Sequence, residues 1–123
     1  MKFCTAVTCM DGSIQLPVIA YLQKRFNAIY VDLVSEAAVN LVLSKQEDSS
    51  LIESIMGKIR ISVEVHGSVS IAIVGHYDCA RNPTSREEQY QHTQDSINFI
   101  RNKYNQLEII GLWVDENWKV NEI

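Results

Sequence analysis

The chain has 123 residues, 46% of them hydrophobic and 21% charged, with a net charge of −4 at pH 7; this is the composition of one globular domain over residues 1–123, not of a disordered tail. With no basic run to offset the acidic balance, nucleic acid and anionic membrane are poor partners. No apolar stretch approaches the roughly 20 residues that span a bilayer, residues 1–10 lack a signal-peptide layout, and three cysteines in no disulfide-scaffold spacing point to a reducing cytoplasm.

Residues 2–8 (KFCTAVT) read as a first strand, which ends in the turn-rich Cys9-Met10-Asp11-Gly12-Ser13. Ile14, Val18, Ile19, Leu22 and Phe26 then recur at helical spacing, with Pro17 placed in the first turn and Asn27 ending the helix. Residues 28–34 (AIYVDLV) form a second strand, followed by a short helix over 35–44 and a polar break at 46–50. Ser50-Leu51-Ile52-Glu53 has the capping-box pattern, and Ile52, Ile55, Met56, Ile59 and Val63 make the stripe of a helix that Gly67 closes.

Residues 69–74 (VSIAIV) are apolar and rich in β-branched side chains, as in a strand buried on both faces; the run stops at Gly75. Asn82-Pro83 breaks the chain, and Thr84-Ser85-Arg86-Glu87 repeats the capping-box pattern before a helix with Tyr90, Thr93, Ile97, Ile100 and Tyr104 on one face. Residues 107–114 (LEIIGLWV) are a further buried strand, Asp115-Glu116-Asn117 is a turn, and Trp118 and Val120 alternate as a weak edge strand. Strands alternating with helices predict an α/β fold with a mainly parallel β-sheet flanked by helices.

The chemistry gathers at two strand ends. Residues three apart on a strand face opposite ways, so His76 and Cys79 share a target only if the chain turns, and Gly75 permits a turn. A parallel sheet puts its C-terminal strand ends along one edge. If the first and central strands are neighbours, roughly 5 Å apart, Cys9, Asp11, His76 and Cys79 converge. Two thiols, an imidazole and a carboxylate make a complete tetrahedral set for zinc, and a metal there would tie distant segments together. Taken singly, Cys9 and Cys79 read as small buried hydrophobes and His76 as a satisfied polar residue at a strand end. Cys4 reads as core, His66 and His92 as surface or helix-end residues, and Trp113, Trp118 and the tyrosines as core or an oligomer face. Asp78 and Arg81 flank the site as solvated charges.

Cys-x-Asp after a first strand, with Gly-His-x-x-Cys after a later buried strand, resembles the β-class carbonic anhydrases over most of the chain, from Phe3 to Val114. The resemblance implies a Rossmann-like three-layer α/β sandwich in which Cys9, His76 and Cys79 hold zinc. Asp11 would either take the fourth position or swing away to pair with an arginine. It also implies carbon dioxide as substrate, bicarbonate as product, and a homo-oligomer, most simply a dimer. Zinc in such a site lowers the pKa of bound water to around 7.

Three departures stand out: Ser13 occupies the arginine position, Ala80 follows the second cysteine in place of glycine, and the helical arm ahead of the first motif has no counterpart before Cys9. A serine hydroxyl holds a carboxylate less firmly than a bidentate guanidinium. Asp11 is therefore expected on the zinc, in a closed site with weak carbon dioxide hydration, unless Arg81 reaches it instead. The alternative is a non-catalytic zinc-binding protein with a structural, regulatory or partner-binding role. Trp113, Trp118, Val120 and Ile123, apolar residues on an expected sheet edge, predict self-association.

Overall fold

In the computed structural model, which describes residues 2–123, the strands are β1 (Phe3–Thr8), β2 (Tyr30–Ser35), β3 (Ser70–His76), β4 (Glu108–Val114) and β5 (Val120–Glu122). They form one sheet in the order β2-β1-β3-β4-β5, parallel except for the antiparallel return of β5. The helices are α1 (Gly12–Arg25), α2 (Val39–Lys45), α3 (Ser49–Arg60) and α4 (Arg86–Lys103).

Alternation along the strands sorts the core into two layers. Cys4, Ala6, Ala72, Val74 and Leu112 pack with Ile14, Val18 and Leu22 of α1. Val7, Ile71 and Ile73 face the other way, toward Leu43 of α2, Ile55 and Ile59 of α3, and Ile97 and Ile100 of α4. Every residue of β3 is buried, which explains its unbroken apolar run. Each fully buried Ile, Leu or Val contributes about 1.5–3 kcal/mol by leaving water. The three-layer α/β sandwich expected from the sequence is thus the observed fold. None of the helices among the described residues is long and apolar enough to cross a membrane.

The departures from expectation are local. Helix α1 begins at Gly12, with Asp11 as its N-cap, so Pro17 lies in the second turn rather than the first. The carbonyl that Pro17 leaves without its helical partner belongs to Ser13, which is exposed to water. Helix α3 is capped by Asp48, whose Oδ1 accepts the Leu51 N–H at 3.0 Å, so the expected box at Ser50 is displaced. Helix α4 is capped by Ser85, which accepts the Glu88 N–H, one residue later than the Thr84 frame. Past Arg60 the helix widens into a π turn, Ile61–Val65, and Gly67 at φ +77° ends it, as expected of a glycine there. The Ser35 end of the expected second helix belongs instead to β2, and α2 starts only after Ala38.

Because β1 has β2 on one side and β3 on the other, the chain reverses its direction of sheet growth between β1 and β3. Open α/β sheets offer their ligand crevice at such a reversal, beyond the C-terminal strand ends. Cys9 follows β1 there, and His76 ends β3.

Candidate metal centre

Strand β3 continues through Gly75 to His76, pairing in parallel with β4 up to His76 and Val114. Alternation then puts His76 on the α1 side of the sheet with Ala72 and Val74. The turn expected at Gly75 comes two residues later. Asp78 adopts φ +56° and folds the chain back, which brings Cys79 under His76. Gly75 has a different reason to lack a side chain: a Cβ there would lie 3.1 Å from each of Asn40 Nδ2, Gln89 Oε1 and Thr93 Oγ1.

The outcome is a compact group. One ligand atom from each of Cys9, His76 and Cys79 lies within 4.8 Å of the other two, and all three residues are buried. The sulfurs of Cys9 and Cys79 are 4.0 Å apart and both thiols are free. That spacing is near the edge of about 3.8 Å which two metal–sulfur bonds of about 2.3 Å subtend in a tetrahedron. His76 Nδ1 lies 3.0 Å from the Tyr77 carbonyl, to which a ring N–H donates, leaving Nε2 as the bare nitrogen. Nε2 is buried and has no hydrogen-bond partner among the described residues. A buried lone pair with no donor, beside two thiols at tetrahedral separation, fits a thiophilic divalent metal such as zinc.

Electrostatics prepares the same atoms. Cys9 is held far below the usual thiol range. The Cys79 thiol hydrogen-bonds to it, and His76 and the main-chain N–H groups of Ala38 and Asp11 add to this against the opposing effect of burial. The Ala38 N–H reaches Cys9 Sγ at 3.4 Å from a residue at φ +53°, a backbone conformation unusual for alanine. Cys79 is pushed up, first by sharing its proton with Cys9 and then by burial. For His76, burial opposes the charged ring, but the neighbouring Cys9 sulfur outweighs it and the pKa rises.

Asp11 stands outside this group. Its Oδ1 accepts the Ser13 N–H at 2.9 Å and the Ser13 hydroxyl at 2.7 Å, and those two bonds, hydroxyl first, lower its pKa. Its Oδ2 lies 4.0 Å from His76 Nδ1. The expectation of a carboxylate weakly held by Ser13 counts the hydroxyl alone; the main-chain N–H at the start of α1 adds a second bond. Arg81, considered as a partner for Asp11, forms no ion pair among the described residues.

Two clefts flank the cluster. One of about 240 Å³ is lined by Asp11, Ser13, Ile14, Tyr77, Val114 and Trp118 among others. The other, about 740 Å³, reaches Cys79 and runs past Tyr90 and Trp113. Elsewhere, Cys4 is fully buried, as read from sequence, and burial with the nearby Asp32 charge pushes its thiol up to about 11. His66 follows the π turn and holds Asp32 Oδ2 at 2.6 Å, and His92 Nδ1 lies 3.0 Å from the Asn82 amide nitrogen. Trp113 is buried and so belongs to the core, whereas Trp118 is exposed.

Sequence reasoning missed the groups that hold the ligands in place. Gln15 fastens the Cys9 turn, its Nε2 donating to the carbonyls of Cys9 at 2.8 Å and Asp11 at 2.7 Å. Asn40 lies between the buried Val39 and Leu43 on α2, and Gln89 is buried on α4 with Thr93 and Ser96; polar residues at buried helix positions are the signal that marks them.

A family model described as "Putative carbonic anhydrase" matches residues 1–123. Among solved structures, the tetrameric β-carbonic anhydrases of Sordaria macrospora are similar at 13% identity and TM-score 0.66, over 99% of this chain and 80% of theirs. The carbonic anhydrase of Glaciozyma antarctica matches at 15% identity and TM-score 0.62, over 96% of this chain and 80% of that one. The β-carbonic anhydrase isoform I of Trichomonas vaginalis matches at 15% identity and TM-score 0.60, over 97% and 81%. At these identities the likeness is one of fold. A comparison with curated proteins gives no match.

Proposed function

The chain belongs to that carbonic anhydrase family, and from this premise we propose that it holds zinc through Cys9, His76 and Cys79 and hydrates carbon dioxide reversibly to bicarbonate. The observation that carries the reading is the buried, unpartnered His76 Nε2 beside two sulfurs 4.0 Å apart. Zinc, when bound, supplies a Lewis acid that makes water nucleophilic near neutral pH.

The residues around it supply the rest. Three protein ligands leave a fourth position for small molecules, provided that Asp11 stays out of it. Ser13 fixes Asp11 by one oxygen, and the second, 4.0 Å from His76 Nδ1, is left to orient a proton of water or bicarbonate. Ile14, Val114 and Trp118 give the smaller cleft an apolar side suited to an uncharged linear molecule, while Asp11, Asp78, Asp115 and Glu116 line much of the rest. Three free thiols suit a reducing cytoplasm.

Zinc-loaded protein is expected to hydrate carbon dioxide in a stopped-flow assay, and Asp11→Asn to lower kcat/KM by about 100-fold, in the range of a lost proton acceptor, with zinc retained. Equal rates for the two proteins would reject Asp11's role. One observation favours a second reading, that of a non-catalytic zinc protein: the partner of Asp11 is neutral Ser13 rather than an arginine. A zinc-replete protein with no rate above buffer supports that reading, and Ser13→Arg then tests whether the missing charge is the defect.

Self-association belongs to the same proposal. Met10 and Trp118, with Leu16 on α1, leave large apolar side chains 66%, 57% and 78% exposed near the strand ends. The Sordaria macrospora enzymes are tetrameric. Light scattering is expected to find a dimer or larger assembly; a clean monomer at high concentration would reject it.

A further inference from the structure

Each metal-type residue arrives on a different piece of chain: Cys9 after β1, His76 at the end of β3, Cys79 in the loop beyond. One buried side chain touches the supports of His76 and Cys79, and the start of its helix carries the support of Cys9. Asn40, 2% exposed on α2, donates from Nδ2 to Gln89 Oε1 at 3.3 Å. Its Oδ1 accepts from Asn82 Nδ2 at 3.5 Å, and Asn82 in turn donates its main-chain N–H to the Cys79 carbonyl at 3.3 Å. Two residues before Asn40, Ala38 donates its N–H to Cys9 Sγ.

Gln89, 1% exposed on α4, closes on both main-chain groups of His76. Its Oε1 accepts the His76 N–H at 3.2 Å, and its Nε2 donates to the His76 carbonyl at 2.7 Å. The register explains why the clasp is needed. Strand β1 pairs with β3 only from Ile71 to Ile73, so beyond that point β3 has lost its neighbour on one side. Gln89 supplies to His76 the two hydrogen bonds that a continuing strand would have made. The missing Cβ of Gly75 is what lets the two amides approach the strand.

We infer that Asn40 and Gln89 are positioning residues of the metal centre, a buried amide chain that sets where Cys9, His76 and Cys79 stand before metal arrives. The inference rests on the zinc reading above. Fully satisfied amides in a low-dielectric interior are rigid, because any displacement leaves a donor or acceptor without a partner. Partners that orient metal ligands commonly hold 10–100-fold of the affinity between them.

The test is zinc affinity by chelator competition, together with the absorption spectrum of the cobalt(II)-loaded protein, which reports ligand geometry. Gln89→Met keeps the length of the side chain and removes its hydrogen bonds; Asn40→Leu does the same for Asn40. Both are expected to bind zinc about 10–100-fold more weakly and to shift the cobalt spectrum. Gln91→Met, exposed on the same helix, is expected to match the parent. If Gln89→Met fails to fold, Gln89→Glu keeps the Oε1 acceptor and, ionised, sets a second oxygen against the His76 carbonyl in place of the donor, with a loss expected to be at least as large. Folded variants with the parent's zinc affinity and cobalt spectrum overturn the inference, even if their metal-free forms melt earlier. A parent that takes up no zinc overturns this inference and the zinc reading together; zinc-binding variants indistinguishable from a zinc-binding parent overturn this one alone.

Discussion

Replacing Cys79 by serine is expected to reduce zinc from about one ion per chain, the complement of one tetrahedral site, to almost none. A serine hydroxyl is hard and stays protonated at neutral pH, whereas a thiolate is soft and charged. Stability follows, because a ligand that binds only the folded chain stabilises it by about 4 kcal/mol when present at a thousand times its Kd. For a chain of this length that corresponds to a rise in Tm of roughly 10–20 °C on adding zinc to the parent. The Cys79→Ser protein should show no such rise. Cys4→Ser is the control: that thiol is buried in the α1-side core, its pKa is raised to about 11, and zinc content should not change. Elemental analysis and melting curves with and without zinc measure both quantities. Near-stoichiometric zinc in Cys79→Ser would remove Cys79 from the ligand set.

The second large effect is expected at Gly75. Its backbone is ordinary strand, so alanine meets no conformational penalty there. Its new methyl would, however, sit 3.1 Å from three polar atoms of α2 and α4. Those atoms are hydrogen-bonded to one another and buried, so they cannot yield one at a time. Overpacking of this kind costs about 1–3 kcal/mol. The same substitution at Gly57, in the middle of α3 with nothing within 4 Å of the added Cβ, should stabilise by about 0.5–1 kcal/mol through helix propensity. Urea unfolding of the metal-free proteins compares the two. Gly75→Ala as stable as the parent would show that the helices move aside freely.

These two glycines show what is legible from sequence and what is not. Hydrophobic periodicity located the strands because burial on two faces leaves an unmistakable apolar run, as in residues 69–74. That the first and central strands are neighbours, as the cysteines need in order to meet, is not written in the sequence; the β2-β1-β3-β4-β5 order supplies it. Gly75, by contrast, has the same letter whether it turns the chain or makes room for a neighbour, and only the packing of Asn40, Gln89 and Thr93 against it tells which. Ala38 is less legible still. Its role is to aim a main-chain N–H at a sulfur from a left-handed conformation, and nothing about an alanine within Glu36-Ala37-Ala38-Val39 announces that. The hold on Asp11 is half visible: the Ser13 hydroxyl can be read from the sequence, but the N–H that adds to it belongs to every residue and appears only once α1 is seen to begin at Gly12.

The position of β1 has a consequence in time. It precedes the other four strands in the chain, yet it lies inside the sheet, with β2 on one edge and β3 on the other. The β3 edge waits for a segment that begins at Ser70, after three helices have been synthesised. Until that segment docks, Cys9 has neither His76 nor Cys79 within reach, and no shorter nascent chain contains the site in any form. Parallel pairing over such a separation carries its loop-closure entropy before contact energy offsets it, so docking of β3 is expected to be slow. If the proposed zinc is bound, the complete site is open to it only in a chain whose central strand has already found its place.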